Sequence, residues 1–149
     1  MSRSVEREIL PVLRELGIGM TAYGVLSRGL ISESALAGGS TGGFRTHSPR
    51  FQGENLTRNL ALVRALKQIA DEKRISVAQL AVAWVAARDT GIQPLIGARK
   101  RTQLADALAA VDVTLTPEDF ARIDAAAPPE AVAGARYPEA GMATLDSER

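Results

Sequence analysis

The sequence contains no cysteine, which excludes disulfide bonds and thiolate metal sites and fits a reducing compartment such as the cytoplasm. Aromatic residues make up only 4% of the chain, with one tryptophan, so stacking surfaces for single-stranded nucleic acid are scarce. A formal net charge of +1 gives no broad basic surface for nucleic acid or a membrane. No apolar run approaches the roughly 20 residues of a membrane-spanning helix, and the amino terminus lacks the apolar segment of a secretory signal. We therefore expect a cytoplasmic protein without a nucleic-acid or membrane partner.

The residues that are present have the balance of a globular protein, with 46% hydrophobic and 23% charged side chains among 149 positions. Hydrophobic periodicity, together with cap and stop residues, predicts helices over 4–16, 55–73, 76–89, 102–110 and 117–127. Short apolar runs predict buried strands at 18–24 and 93–97. A segment rich in Gly and Ser predicts a long loop at 24–54, and residues 130–149 are predicted to form an irregular tail.

Capping residues mark three of the helix starts. Ser4 is a candidate cap, while Ser76 with Gln79 and Thr116 with Asp119 have the spacing of capping boxes. The alternation of strands and helices implies parallel strands joined by crossover helices. Two buried parallel strands cannot by themselves make a sheet with both faces covered. Either further strands escape the pattern, or the chain is a piece of something larger.

The segment AYGVLSRG, residues 22–29, follows the first predicted strand. A flat aromatic ring suits a flat ligand ring, and amide donors beside a cation suit phosphate oxygens. From the residues alone, a buried Tyr23 followed by an ordinary turn is the more common alternative. The only histidine, His47, lies in the long loop without a metal-ligand pattern, and we interpret it as an ordinary loop residue.

The segment GARKRTQLADA, residues 97–107, follows the second predicted strand and begins a helix. Gly97 allows a close approach of backbone to ligand, and a helix start offers free amide donors at the positive end of its dipole. Arg99 adds charge and bidentate hydrogen bonding. Together these features suit a phosphate monoester, although a solvated cationic loop is an equally open interpretation.

Three segments resemble the aldo/keto reductase family in order and spacing. Residues 13–30 (LRELGIGMTAYGVLSRGL) are similar to the region around the seventh strand of that family's barrel, and 76–89 (SVAQLAVAWVAARD) to the helix that follows. PLIGARKRTQL at 94–104, with LTPEDFARID at 115–124, resembles the eighth strand and the cofactor turn after it. The resemblance implies an α/β fold, a partial (β/α)₈ TIM barrel in which residues 1–149 supply the last two strand–helix units and the carboxyl-terminal helices.

The resemblance also implies NADP(H) as the cofactor. Ten positions match cofactor-binding residues of the family: Tyr23 for the nicotinamide ring; Gly24, Leu26, Ser27 and Arg28 for the pyrophosphate; Gly97, Ala98 and Arg99 for the 2′-phosphate; Gln103 and Asp106 for the adenosine. Two departures weaken the adenosine side, because Asp106 is shorter than the usual Glu and Ala107 stands where an Asn is common.

The family reduces aldehydes or ketones with NADPH through a tetrad of Asp, Tyr, Lys and His in its amino-terminal half. None of the four maps onto this sequence, so we predict no catalytic residue and no metal site. We expect the chain to be inactive alone, with a carbonyl substrate bound only in a complete barrel. The alternative is a non-catalytic NADP-binding or interaction module that pairs with a partner chain or self-associates through open barrel edges.

Overall fold

Two short parallel strands form the single sheet of the computed structural model, which describes residues 1–39 and 42–145. Strand β1 (Met20–Ala22) pairs with β2 (Ile92–Pro94). The helices are α1 (Val5–Leu16), α2 (Glu33–Leu36), α3 (Gly53–Glu72), α4 (Val77–Ala86), α5 (Arg101–Leu108), α6 (Pro117–Ala126) and α7 (Glu139–Met142). The parts of the predicted loop and tail at 40–41 and 146–149 lie outside the described residues.

The predicted helices are confirmed to within a few residues at each end. Helix α4 ends at Ala86, three residues before the predicted boundary, and α5 continues as the 3₁₀ turn Ala109–Asp112. Over the described ranges, no helix combines the length and the apolar character that a membrane crossing requires.

Two of the three predicted caps are confirmed. The Ser76 hydroxyl accepts a hydrogen bond from the Gln79 amide at 3.0 Å, and Gln79 Oε1 accepts one from the Ser76 amide at 3.0 Å. Thr116 and Asp119 form the same reciprocal pair at the start of α6. The prediction for Ser4 is wrong: its backbone is already helical (φ −54°, ψ −38°) and its side chain makes no capping hydrogen bond. The chain turns one residue earlier, since the Glu6 amide bonds the Arg3 carbonyl at 3.1 Å.

Strand β1 lies within the predicted range 18–24, and β2 begins one residue before the predicted range 93–97 and ends three residues early, while the prediction that the strands are buried is wrong. Thr21 and Gln93 are partners in the register, and both side chains are exposed. One face of the sheet is therefore open to solvent, whereas Ile92 is 7% exposed on the other face, where α4 packs. Each strand is only three residues long, at the short end of the usual range for globular proteins.

The core is formed mainly by α3, α4 and α6. Val63, Val77 and Leu80 are no more than 1% exposed, and each such burial contributes roughly 1.5–3 kcal/mol. The predicted long loop is more ordered than its composition indicates: besides α2 it forms three 3₁₀ turns, and it sends Leu30 and Phe51 into the core. The described part of the loop is therefore attached to the core at these two residues.

Charged side chains attach the amino-terminal residues to α4 and α6. Arg3 Nη1 contacts Asp124 Oδ1 at 2.9 Å, and Arg88 Nη2 contacts Glu6 Oε2 at 2.6 Å. The guanidinium groups of Arg3 and Arg88 lie 4.8 and 4.5 Å from the centre of the Trp84 ring. The partly buried Trp84 ring thus packs against the core on the one hand and against these two cations on the other.

The described part of the predicted irregular tail contains a 3₁₀ turn, Pro129–Ala131, and the one-turn helix α7. Between them the chain passes over α3, where Asn59 is 0% exposed. Asn59 Oδ1 accepts a hydrogen bond from the Ala133 amide at 2.9 Å, and its Nδ2 donates to the Ala133 carbonyl at 2.8 Å. A buried side chain thus determines the course of the tail.

Candidate functional site

The two predicted ligand segments leave the sheet at the same edge. Ala22 is the register partner of Pro94, and the Leu95 amide donates to the Ala22 carbonyl at 2.8 Å. Because the strands are parallel, the loop after β1 and the turn after β2 both begin at carboxyl ends of neighbouring strands. This edge is where ligands bind in parallel α/β sheets and barrels.

The turn after β2, residues 97–101, is here called the phosphate turn. A Cβ atom added to Gly97 would meet no other atom within 4 Å, and the Gly97 backbone is not left-handed, so packing does not demand glycine there. Ala98, Arg99 and Lys100 are exposed. Within the described parts of the chain, none of its three cations forms an ion pair.

Gln103 holds the phosphate turn against the start of α5. Its Oε1 accepts hydrogen bonds from the Arg99 amide at 3.0 Å and the Lys100 amide at 3.1 Å. This interaction satisfies two donors before the first helical turn and fixes the backbone beside the cations. The predicted contact of Gln103 with adenosine stays a prediction, and the structure adds this second role.

Asp106 connects α5 to the start of α4. Its Oδ1 and Oδ2 lie 3.1 and 3.2 Å from the Ser76 hydroxyl, which donates to the carboxylate and accepts from the Gln79 amide. The half-buried carboxylate is therefore engaged by the protein itself. The contact of Asp106 with adenosine stays a prediction. Such a contact would compete with the hydrogen bond from Ser76 for the same carboxylate.

The loop after β1 is tightly wound. Gly24 has φ +69°, and two successive residues that are not glycine, Ser27 and Arg28, have φ +48° and +59°. Left-handed conformations of such residues cost about 1 kcal/mol or more each and concentrate at functional sites. The Leu26 carbonyl accepts hydrogen bonds from two amides further along, at 2.9 and 3.1 Å, which closes the turn.

Tyr23 lies at the start of this loop and is 57% exposed, so the alternative of a buried tyrosine is wrong. Its hydroxyl is 3.2 Å from the Tyr137 hydroxyl and accepts a hydrogen bond from Arg136. The guanidinium of Arg136 lies 5.0 Å from the centre of the Tyr23 ring, a cation–π distance. The ring of Tyr23 is thus held in place while most of the side chain stays accessible.

The two tyrosine hydroxyls differ in acidity. The hydrogen bond from Tyr23, followed by one from Arg28 and the nearby charge of Arg136, lowers the pKa of Tyr137 below its usual value of 10.0. The hydrogen bond between the two hydroxyls raises the pKa of Tyr23 above its usual value of 10.0.

A cavity of about 360 Å³ lies beside this pair, between the amino-terminal residues, β1 and the tail. Its volume is in the range of small-molecule and cofactor pockets. Tyr23, Arg28, Arg136 and Tyr137 line one side of it, and Trp84 lines another. The cavity therefore combines aromatic surface with five arginines, Arg3, Arg28, Arg50, Arg88 and Arg136, and one carboxylate, Glu6.

Sequence reasoning missed the residues that the tail and the long loop bring to Arg28. The Arg28 guanidinium lies 4.0 Å from the centre of the Phe44 ring and 4.7 Å from that of Tyr137. Periodicity carries no signal for these contacts, because Phe44 lies in a short 3₁₀ turn and Tyr137 in a bend, neither of which has an apolar repeat. The only available hint was an arginine next to a tyrosine, Arg136-Tyr137, in an otherwise small and polar tail.

The described residues contain no group of three or more His, Asp or Glu side chains that could bind a metal ion. His47 is exposed at the end of the 3₁₀ turn Gly43–His47, and the described ion pairs do not include it. The interpretation of His47 as an ordinary loop residue agrees with this position.

Comparison with known proteins identifies the relatives of the chain. The sequence profile of the aldo/keto reductase family matches residues 1–128. A curated protein of Glycine max, "Probable aldo-keto reductase 1", is 35% identical over 138 residues, which are 91% of this chain and 40% of the soybean protein. The solved structure of the glycerol dehydrogenase AKR11B4 from Gluconobacter oxydans is similar at a TM-score of 0.74 and 28% identity, over 84% of this chain and 38% of that one. The chain thus spans about two fifths of the length of these relatives.

Proposed function

Because the chain belongs to the aldo/keto reductase family, we propose that it forms the NADP-binding end of a (β/α)₈ barrel that reduces aldehydes or ketones with NADPH. In this proposal β1 and β2 are the last two strands of the barrel. The ten residues that match the family's cofactor positions then lie along one edge of the sheet. The reaction itself belongs to the whole barrel, of which this chain spans about two fifths.

The observation that carries the proposal is the phosphate turn. Three exposed cations stand at the start of α5, directly after a strand whose partner carries the Tyr23 loop. Gly97 has no side chain, and no other atom lies within 4 Å of the position that a Cβ atom would take. A ligand can therefore come close to the backbone at this residue. Arg99 suits a phosphate dianion because guanidinium and phosphate form charge-assisted, often bidentate hydrogen bonds.

The distinguishing test is the preference for NADPH over NADH, measured by isothermal titration calorimetry. We expect the chain to bind NADPH more tightly, because only NADPH carries the 2′-phosphate. Arg99→Ala should weaken NADPH binding about tenfold, equivalent to about 1.4 kcal/mol, and leave NADH binding unchanged. Arg64→Ala removes one exposed cation from α3 and is the matched control. Equal affinity of the unmodified chain for the two dinucleotides would contradict the proposal.

We also propose that the 149 residues do not reduce carbonyls by themselves. The sequence has three lysines: Lys67 bonds Asp71, Lys73 bonds Asp119, and Lys100 is exposed in the phosphate turn. No described hydrogen bond joins a lysine to either tyrosine, and this supports the proposal, because the family protonates the carbonyl oxygen with a Tyr whose pKa a Lys lowers. The test is carbonyl-dependent oxidation of NADPH by the purified chain. Turnover that Tyr23→Phe or Tyr137→Phe abolishes would overturn this part of the proposal.

A second candidate function, an interaction module, is favoured by exposed apolar side chains on α5 and the following turn. Leu104, Leu108 and Val111 are 48%, 60% and 83% exposed and follow one another at helical spacing. In the described sheet each strand also has one unpaired edge, which favours pairing with another chain. Sedimentation velocity would decide: this function requires assembly at micromolar concentration that Leu108→Glu weakens, and a monomer throughout would exclude self-association.

A further inference from the structure

Helix α1 carries an apolar stripe on its outer surface. Ile9, Val12 and Leu16 follow one another at helical spacing, and they are 41%, 50% and 62% exposed. The buried side of α1 is narrow, since Leu10 is its buried residue. A surface helix normally turns its apolar residues toward the core, so these three exposed side chains, here called the α1 stripe, form a surface suited to a partner.

Ion pairs anchor α1 through side chains outside the stripe. Arg14 pairs with Asp89, and Glu6 pairs with both Arg3 and Arg88. At about 3.6 residues per turn, Glu6 and Arg14 lie on other parts of the helix surface than the α1 stripe. The helix is therefore held on the fold while the stripe stays exposed to solvent.

A second exposed stripe lies on α5 and the 3₁₀ turn that follows it. It consists of Leu104, Leu108 and Val111 and is here called the α5 stripe. In both stripes the first and last members are seven positions apart, which is about two turns of helix. The two stripes therefore match in length, and each offers three aliphatic side chains to the other.

The charges beside the two stripes are opposite in sign. Glu8 and Glu15 are exposed, each directly precedes a member of the α1 stripe, and neither takes part in a described ion pair. The α5 stripe follows the phosphate turn, whose exposed Arg101 lies three positions before Leu104 and so on the same face. Asp112, at the far end of the α5 stripe, is outnumbered by the three cations at its start. Packing with both helices in the same direction brings Arg101 beside Glu8, and such opposite charges select the partner and its orientation.

We propose that the α1 stripe of one copy of the chain docks on the α5 stripe of a second copy. The inference rests on the second candidate function, self-association, and it names the surface that α5 meets. Because the two stripes are different surfaces, the contact is heterologous, and each pair of copies retains one α1 stripe and one α5 stripe for further copies. Assembly therefore continues until a ring closes or a filament forms.

The test is complementation between two variants, measured by sedimentation velocity at micromolar concentration. Val12→Glu places a charge in the α1 stripe and Leu108→Glu places one in the α5 stripe, so each variant alone should be a monomer. In an equimolar mixture, the intact α1 stripe of the Leu108→Glu chain should dock on the intact α5 stripe of the Val12→Glu chain and give a dimer that cannot grow. Both residues are exposed, and circular dichroism should show that both variants keep the fold of the unmodified chain. Assembly of either variant alone, or no dimer in the mixture, would overturn the inference.

Charge reversal in the same mixture tests the pairing of the two stripes. Glu8→Lys added to the Leu108→Glu chain should weaken the dimer about fivefold, and Arg101→Glu added to the Val12→Glu chain should restore it. Glu130→Lys, at an exposed position in the tail, is the matched control and should leave the dimer unchanged. An equal loss from Glu8→Lys and Glu130→Lys would contradict the pairing.

Titration with NADPH separates this inference from the proposed cofactor binding. A dimer in the mixture that binds no NADPH would leave the contact between the stripes standing and count against the cofactor site. Binding of NADPH by a chain that stays monomeric at every concentration would overturn the contact and leave the cofactor site intact.

Discussion

Asn59 on α3 and Ala133 in the tail form a reciprocal pair of hydrogen bonds, 2.8 and 2.9 Å long, in a position that solvent does not reach. The two residues are 74 positions apart in the chain. Through this pair, a helix of the core controls where Arg136 and Tyr137 lie. The stability of the fold and the composition of the candidate site are therefore coupled at one side chain.

Replacement of Asn59 by alanine should lower the free energy of unfolding by about 3 kcal/mol, because it removes three hydrogen bonds and leaves buried partners unsatisfied. Urea unfolding followed by Trp84 fluorescence measures this loss. Asn55→Ala, which removes one described hydrogen bond to the Pro49 carbonyl, is the matched control and should cost about 1 kcal/mol. Hydrogen exchange of the Ala133 amide should also accelerate in the Asn59 variant. Equal destabilisation by the two substitutions would contradict the special role of Asn59.

Replacement by alanine should affect stability at Gly134 but not at Gly97. Gly134→Ala places a Cβ atom 2.9 Å from backbone in a left-handed conformation, so we expect a loss of about 2 kcal/mol or more in unfolding free energy. Gly97→Ala meets no atom within 4 Å and should leave stability within about 0.5 kcal/mol of the unmodified chain. The added methyl group should instead weaken NADPH binding. Thermal unfolding and calorimetry on both variants check this contrast, and normal NADPH affinity in Gly97→Ala would show that the ligand does not approach this backbone.

Acid should weaken the fold partly through Asp119. The hydrogen bond from Lys73, at 2.6 Å, and those from Thr116 hold the pKa of Asp119 below its usual 3.8. A lowered pKa contributes stability that is present above the unfolded-state value and is lost as the pH falls through the folded-state value. Asp119→Asn should therefore be less stable than the unmodified chain at pH 7, and the difference should shrink below about pH 4. Urea unfolding at pH 7 and pH 3 tests this, with exposed Asp112→Asn as the control; a constant difference would contradict it.

Two leucines separate core from surface. Leu80 is 1% exposed among the core side chains, and Leu80→Ala should cost about 3 kcal/mol from lost burial and the cavity left behind. Leu108 is 60% exposed. When the chain is monomeric, Leu108→Ala should therefore lower the free energy of unfolding by less than about 0.5 kcal/mol. Unfolding curves at two protein concentrations check both values. A concentration-dependent loss in Leu108→Ala would show that this side chain is buried in an assembly.

Local patterns in the sequence were sufficient for most of the fold. Thr116-Pro117 and Ser76 with Gln79 start helices because their side chains satisfy amide donors within three residues, an interaction that sequence spacing specifies directly. The spacing of apolar residues along α3 and α4 likewise predicts these helices, because residues at that spacing lie on one face of a helix. The prediction that Ser4 caps α1 was wrong, because the chain already turns at Arg3 and the residue type of Ser4 gives no sign of this.

The sequence alone determined the five longer helices, the order of the two strands and the membership of residues 1–128 in a family, because each depends on neighbouring residues or on ordered motifs. Only the tertiary structure decided the exposure of Tyr23, the attachment of Asp106 to Ser76 and the packing of Arg28 and Arg136 against the ring of Tyr137. These depend on contacts between residues far apart in the chain, where one buried side chain, Asn59, selects a single path among the many open to a tail of small residues. No local propensity encodes that selection, since its energy comes from packing and from hydrogen bonds that exist only after the chain has folded.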